Sequence, residues 1–294
     1  MKTTTKVWLG AMVAIVLIVS CSTPPTGLFS PRYNGKSLLT WVNKISPSSS
    51  EAGIGEIRPD EKEIATALQA MGTNCLPYLI ARIKLKESMS EKMGFDFNPR
   101  LPFDESSREI ELEQKRRQAA KGFCMLGPIA TPAIPQLVPL LNDETVVVSV
   151  TCALVGIGTA AYPALFQALQ HTNTNIRRSA ALGISQHRGK GEFAIPALLA
   201  MLNDPDGKVR SAAAYTLGKI NKQPEIVVPA LIKGLSDPDP SKGASMAFGL
   251  YGYGKAAVPA LPLLRELLTK TNLTYFQVEE IHRVIGSLSG PFLP

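Results

Sequence analysis

The chain has 294 residues, with 31 Lys and Arg against 24 Asp and Glu, a formal net charge of +7. This excess is compatible with an anionic lipid or cell-wall polymer nearby, but it is too mild to indicate a nucleic-acid-binding protein. Hydrophobic residues make up 45% of the chain and aromatic residues only 6%, so the core is built mainly from aliphatic side chains, which favours closely packed helices.

The amino terminus, "MKTTTK", carries two lysines and no acid, and residues 7–19 carry no charge. Thirteen residues span about 20 Å as a helix, whereas a bilayer core needs roughly 20 apolar residues. This length is typical of the apolar region of a secretory signal. We therefore predict a signal peptide over residues 1–20.

The residues that end this apolar run, "IVSC", resemble the lipobox of bacterial lipoproteins. The resemblance implies that Cys21 is the lipid attachment site, which would place the protein in the cell envelope, on the periplasmic face or the cell surface. An uncleaved anchor and plain secretion are the alternatives. Residues 21–36 are rich in proline and small residues at their start, and we predict a flexible tether there.

Residues 37–63 are predicted to form a capping helix and a loop ahead of the repeats. The apolar residues at helical spacing are Leu38, Leu39, Val42 and Ile45, with Trp41 beside them. A helix with this pattern can close the exposed end of a helical stack.

One phrase recurs from residue 64 to the carboxyl terminus: "LPYLIARI", "IPQLVPLL", "YPALFQAL", "IPALLAML", "VPALIKGL" and "VPALPLLREL". Its prolines stand at 77, 135, 163, 196, 229 and 259, so that four of the five intervals lie between 28 and 33 residues. The long first interval indicates an insertion, which we assign to residues 88–106. A period of about 30 residues is typical of helical repeat proteins.

Each copy reads as two helices. In residues 207–235 one apolar stripe comprises Val209, Ala213, Leu217 and Ile220, and a second comprises Val228, Leu231, Ile232 and Leu235. Asp206 and Asp239 stand where a helix N-cap belongs, and Pro229 belongs in a first turn, where its missing N–H costs nothing. Neither helix buries its stripe alone, so stacking is required.

The phrase "DPDGKVRSAAAYTLGKI…VPALIKGLSDPDP" resembles the short bacterial type of HEAT repeat, related to that of phycobilin lyases. The resemblance implies an all-α fold, an α-solenoid of about six HEAT-like helix pairs with an N-terminal capping helix. It also implies that Arg177 and Arg210 bind repeat to repeat through loop aspartates. The segments "TVVVSVTCAL" and "PSKGASMAFGL" lack this arginine.

Cys75, Cys124 and Cys152 are an odd number of thiols for an oxidising compartment. Cys124 and Cys152 are predicted to occupy the same position in adjacent repeats, about 8–10 Å apart, which is too far for a disulfide. We predict that all three are small core residues, and a reactive thiol is the alternative.

Two segments carry unusual residues. The insertion contains Phe95, Phe97 and Phe103, which either fold back onto the solenoid or form a flap that binds a partner. The helix predicted for Ser107–Leu126 contains "KRRQAAK", which is either a solvated face or a contact for a polyanion.

The sequence offers no constellation for catalysis. His171, His187 and His282 have no acid or cysteine at ligand spacing, so no zinc site is predicted. The "DPD" pairs fit helix capping better than calcium binding. We predict no enzyme, no metal and no cofactor.

The predicted function is a lipid-anchored scaffold or protein-binding module whose partner binds a groove made by the second helix of each pair. A lyase-type HEAT-like enzyme and a binder of anionic envelope polymer are the alternatives, and the sequence does not specify an oligomeric state. The candidate contact residues are Arg82, Lys84, Gln136, Gln167, Gln170, Lys233, Arg265 and Glu266.

Overall fold

The computed structural model describes residues 30–46, 54–86, 105–187, 190–270 and 272–290. The predicted signal peptide with Cys21, and residues 88–104 of the predicted insertion with its three phenylalanines, lie outside the described residues.

A small cap precedes the repeats. Strands β1 (Arg32–Tyr33) and β2 (Lys36–Ser37) pair antiparallel across Asn34 and Gly35, both of which have positive φ, as a two-residue hairpin turn requires. Residues 32–36, predicted as the end of a flexible tether, therefore belong to the folded cap.

Helix α1 (Leu38–Asn43) follows directly, and the side chain of Ser37 caps it. Trp41 is fully buried and donates from Nε1 to the carbonyl of Tyr33 over 3.3 Å. Leu39 is exposed, so the predicted apolar stripe was wrong at that position and Trp41 completes the buried face instead.

The described residues that follow form six helix pairs and one closing helix, as the repeat spacing predicts. The first helices are α2 (Lys62–Met71), α4 (Glu105–Leu126), α6 (Val147–Ile157), α8 (Thr174–Ser185), α10 (Gly207–Ile220) and α12 (Pro240–Leu250). The second helices are α3 (Leu76–Ile83), α5 (Ile134–Leu137), α7 (Tyr162–Leu169), α9 (Ile195–Met201), α11 (Pro224–Leu235) and α13 (Leu261–Leu267). The closing helix is α14 (Tyr275–Ser289).

Local sequence sets where these helices begin and end. Asp206 accepts from the amides of Lys208 and Val209, and Asp239 accepts from that of Ser241, so both predicted N-caps are confirmed. The turn from a first to a second helix uses a positive φ in most pairs, which favours glycine. The residues concerned are Gly72, Gly127, Gly158, Asn221 and Gly254.

The first helices stack more closely than the second helices do. A Cβ built on Gly218 would lie 2.5 Å from the carbonyl oxygen of Gly249, and one built on Gly249 would lie 2.7 Å from that of Ala214. Backbones this close require glycine and alanine, which explains the "AAAYTLG" type of phrase. The first helices therefore form a close-packed row, and the second helices form a more open one.

One core runs through the described part of the chain, and it contains the three thiols. Cys75, Cys124 and Cys152 are buried and free, which confirms the prediction of core positions. Their predicted equivalence is wrong by about one turn. Cys124 packs against Gly156, and its Sγ lies 3.8 Å from the carbonyl oxygen of Cys152.

Arginine–aspartate contacts link the repeats, as the resemblance implied. Arg177 makes two bonds to Asp204, at 2.8 and 2.9 Å, and Nη2 of Arg210 lies 3.9 Å from Oδ2 of Asp239. Where α12 lacks the arginine, Lys242 in its first turn pairs with Asp237 of the loop just before it over 2.7 Å.

By length and composition alone, the helical stretch Glu109–Asn142 could cross a membrane. The same criterion is met by core helices of soluble proteins. Here the stretch supplies α4 and α5, with Gly127 at a positive φ between them, so we assign it to the solenoid core.

Candidate partner-binding surfaces

Seven of the eight residues predicted to contact a partner are exposed on or at the ends of the second helices: Lys84, Gln136, Gln167, Gln170, Lys233, Arg265 and Glu266. Arg82 was a wrong prediction, because its side chain is 9% exposed. Its guanidinium donates to the hydroxyl of Tyr78 over 2.7 Å and to the carbonyl of Lys115 over 3.2 Å. Arg82 thus joins α3 to α4 and is not available to a partner.

The open row of second helices contains a shallow cleft between α11 and the turn into α13. Its volume is about 650 Å³. The lining is mostly apolar, with Val228, Pro229, Ile232 and Pro259, and Lys233 stands at its edge. The cleft follows from the wider spacing of this row.

Two residues of the basic run on α4, Arg116 and Lys121, are buried, so they form neither a solvated face nor a polyanion contact. Arg116 is buried and donates to the carbonyls of Leu85 and Thr145. Lys121 is 1% exposed, and its Nζ lies 2.7 Å from Oε2 of Glu61. Both predicted alternatives were therefore wrong for these two residues, whose side chains stabilise the fold.

Residues 54–61, "IGEIRPDE", lie across the carboxyl ends of the first helices α4, α6 and α8. Ile54 is buried, and the amide of Gly55 donates to the carbonyl of Gln186 at the end of α8. Ile57 lines a cleft of about 600 Å³ with Cys124 of α4 and Gly156 of α6. We call residues 54–61 the covering segment.

A buried ion pair fixes the other end of the covering segment. Burial alone raises the pKa of Glu61, but hydrogen bonds from Lys121 and Arg58 outweigh it, so that the pKa is lowered from its ordinary value. The carboxylate is therefore charged at neutral pH. Since a buried charge without its partner is costly, Glu61 and Lys121 hold the covering segment against α4.

Further along the same row, α10 presents a stripe of exposed and half-exposed side chains. Lys208, Ser211, Tyr215 and Lys219 follow one another at three- and four-residue spacing, and so share one side of the helix. Tyr215 is 37% exposed, and Nζ of Lys219 lies 5.4 Å from the centre of its ring.

Helices α12 and α14 continue this surface. Ser211 donates to Ser245 over 3.0 Å, which fixes α12 beside α10. The ring of Phe248 on α12 lies 6.0 Å from that of Phe276 on α14, and Phe276 is 60% exposed. Sequence reasoning missed these residues because it treated the first helices as core; the aromatic at position 215 within an alanine-rich helix was the signal.

The buried polar groups near the covering segment do not form a reactive centre at neutral pH. Burial, reinforced by nearby Lys190, lowers the pKa of His187 to about 4, so the imidazole is neutral. Its Nε2 lies 4.0 Å from Sγ of Cys124, whose pKa burial raises to about 12. Among the described residues, no group of three or more His, Cys, Asp or Glu could hold a metal ion.

Comparison with known proteins agrees with this architecture. A family profile described as HEAT repeats matches residues 134–218, 162–242 and 195–277. Among curated proteins none matches the chain.

Three of the solved structures to which the chain is similar are the following. An engineered protein is 21% identical, covering 72% of this chain and 96% of that one, with a TM-score of 0.36. The complex of CpcE and CpcF of phycocyanin lyase from Nostoc sp. PCC7120 is 19% identical, covering 90% and 100%, with a TM-score of 0.33. The karyopherin Kap121p bound to the SUMO protease Ulp1p is 13% identical, covering 79% and 28%, with a TM-score of 0.47. The family profile identifies residues 134–277 as HEAT repeats, and the described helix pairs form an all-α, HEAT-like solenoid.

Proposed function

We propose that this protein is a lipid-anchored scaffold of the cell envelope that binds a partner protein on its solenoid surface and catalyses no reaction. The anchor is Cys21, and the binding module is the repeat tract. Repeat solenoids present long surfaces whose function depends on what they bind.

The observation that carries the proposal is the exposure of large apolar side chains in the last two helix pairs and the closing helix. Tyr215, Ile226, Tyr251, Tyr275 and Phe276 are all exposed there. Aromatic side chains are enriched where proteins meet, because they bury much area at a low cost in conformational entropy.

Photo-crosslinking in intact envelopes tests the binding of a partner. A photoreactive residue is placed at Phe276 on the closing helix, which continues the row of first helices, at Lys233 on a second helix, and at Ile110 on α4 as a matched exposed control. We expect the same discrete adduct from one or both of the first two positions and none from Ile110. The absence of adducts from both would refute the proposal.

The anchor is tested separately. We predict that Cys21→Ser abolishes incorporation of labelled fatty acid and leaves the precursor uncleaved, because the lipid-bearing thiol is lost. Metabolic labelling and electrophoretic migration measure both. Unchanged migration and unchanged membrane partition of the variant would contradict the lipid attachment.

A further inference from the structure

We propose that the exposed side of α8, α10, α12 and α14 binds an extended, acidic segment of the partner protein, across Tyr215 and the basic side chains beside it. This inference rests on the proposed function and names the chemistry of the partner. Its surface is the close-packed row of first helices, continued by the closing helix α14, in contrast to the second-helix groove predicted from the sequence.

The spacing of the two rows argues for this side. In a curved stack of helix pairs, the row whose helices approach more closely lies on the inner side of the curve. Here the first helices are in backbone contact through Gly218 and Gly249, whereas a cleft of about 650 Å³ opens between second helices at α11. The first helices therefore line the concave side, where one extended ligand can contact several repeats at once.

The chain already places such a segment on the first half of this row. The covering segment contains three carboxylates and one arginine, with isoleucines at 54 and 57. Its two ends are buried, with Ile54 2% exposed and Glu61 1% exposed. Between them it crosses three first helices, bound through a backbone hydrogen bond at Gln186 and an ion pair at Lys121.

Corresponding positions on the second half of the row are uncovered. Lys121 stands five residues before the last residue of α4, and Tyr215 stands five residues before the last residue of α10. Lys121 is covered by Glu61, whereas no part of the described chain covers Tyr215. Tyr215 thus stands at the position on α10 at which Lys121, the residue that binds Glu61, stands on α4.

The charges around Tyr215 select an acidic ligand. Helix α8 begins at Thr174, and α10 begins 33 residues later at Gly207. Arg178 and Ser211 are separated by the same 33 residues. Arg178 therefore takes the place on α8 that Ser211 takes on α10. Among the described residues, no carboxylate lies within 4.0 Å of the cationic nitrogens of Arg178, Lys208 or Lys219. Three cations without a carboxylate partner, on the helices that carry Tyr215 and its equivalent side, complement carboxylates spaced by apolar side chains.

A peptide with the sequence of the covering segment provides the probe. A fluorescent peptide with two copies of the 54–61 sequence is titrated with the full chain in detergent, and anisotropy reports binding. We expect binding that weakens with salt, and at least about tenfold weaker binding of a peptide with Gln and Asn in place of the acids. Tyr215→Ala and the double variant Arg178→Glu, Lys208→Glu should each weaken binding about tenfold.

The matched control is Lys233→Glu, the same charge reversal on the open row, which should leave binding unchanged. Thermal unfolding of each variant establishes that it is folded. Equal affinity for the acidic and neutral peptides, or loss of binding in Lys233→Glu but not in Tyr215→Ala, would overturn the inference. Binding of polyphosphate or phosphatidylglycerol vesicles in place of the peptide would assign the surface to an anionic polymer or lipid.

The crosslinking experiment separates this inference from the proposed function. Adducts from Lys233 but not from Phe276 would leave the scaffold standing and refute the first-helix surface. Adducts from Phe276 that the acidic peptide competes away would support both. Adducts from neither position would refute the scaffold itself.

Discussion

At the scale of single residues, burial decides the chemistry of the ionisable groups in the core. Burial raises the pKa of Cys75 and of Cys124 to about 12 and that of Cys152 well above its ordinary value. The thiolate is the reactive form of cysteine. The alternative of a reactive thiol therefore has no support in the described structure.

We predict that the three repeat cysteines resist alkylation in the native protein and react once it is unfolded. The physical reason is twofold: the side chains are inaccessible, and at neutral pH they are protonated. Mass spectrometry after a timed pulse of iodoacetamide measures each site separately. Rapid native labelling of any one of them would revive the reactive-thiol alternative.

His187 gives the core a dependence on pH. Below its ordinary pKa of 6.5 the unfolded imidazole takes up a proton, which the buried imidazole does not take up until the pH nears about 4. Unfolding therefore binds a proton in this window, and stability falls as the pH falls. We predict a loss of about 2–4 kcal/mol between pH 6.5 and 4 from this group.

Urea unfolding at a series of pH values measures this loss. His187→Leu should flatten the dependence between pH 6.5 and 5, since it removes the titrating group and keeps an apolar core side chain. His282→Gln is the matched control, because His282 is exposed. A slope that persists in His187→Leu would show that other groups cause it.

At the scale of elements, the helix pairs follow from sequence patterns, whereas the faces that they expose do not. Proline spacing and the aspartate caps predicted the helix pairs and the starts of α10 and α12. They did not show that Arg82, Arg116 and Lys121 are buried, because a long cation has the same local signature whether its partner is solvent or a carbonyl on the next helix. Contacts such as Lys121 to Glu61 join residues 60 positions apart, and helical periodicity carries no information about them.

The close approach of the first helices makes a testable distinction between two helical glycines. We predict that Gly249→Ala lowers the free energy of unfolding by about 1–3 kcal/mol, because its Cβ would meet the carbonyl oxygen of Ala214 at 2.7 Å. Gly286→Ala should raise it by about 0.4–1 kcal/mol, because nothing lies within 4 Å of that Cβ and alanine restricts the unfolded chain. Urea denaturation of both variants checks the pair. Equal effects would mean that α10 and α12 are not in backbone contact.

At the scale of the whole molecule, the described chain is a stack in which each repeat mainly contacts its neighbours. The two halves of the row of first helices differ in whether another part of the chain covers them. The first half of the first-helix row carries the covering segment, and the second half carries exposed rings and cations. The sequence predicted the stack, because each copy repeats the same pattern. It did not predict which row is close-packed, because that depends on how glycine and alanine from adjacent copies meet.

The stack predicts how a local defect spreads. Leu217 is fully buried in the first helix of the fifth pair, which has a neighbour on each side, and Leu217→Ala should lower the free energy of unfolding by about 2–5 kcal/mol. Lys233 is exposed on the partner helix, and Lys233→Ala should change it by less than about 0.5 kcal/mol. Because repeats couple mainly to their neighbours, hydrogen exchange in Leu217→Ala should rise across residues 180–260 before it rises at residues 64–86. A uniform rise along the chain, or equal costs for the two substitutions, would contradict the one-dimensional architecture, and the assignment of Tyr215 and Lys233 to separate faces would fall with it.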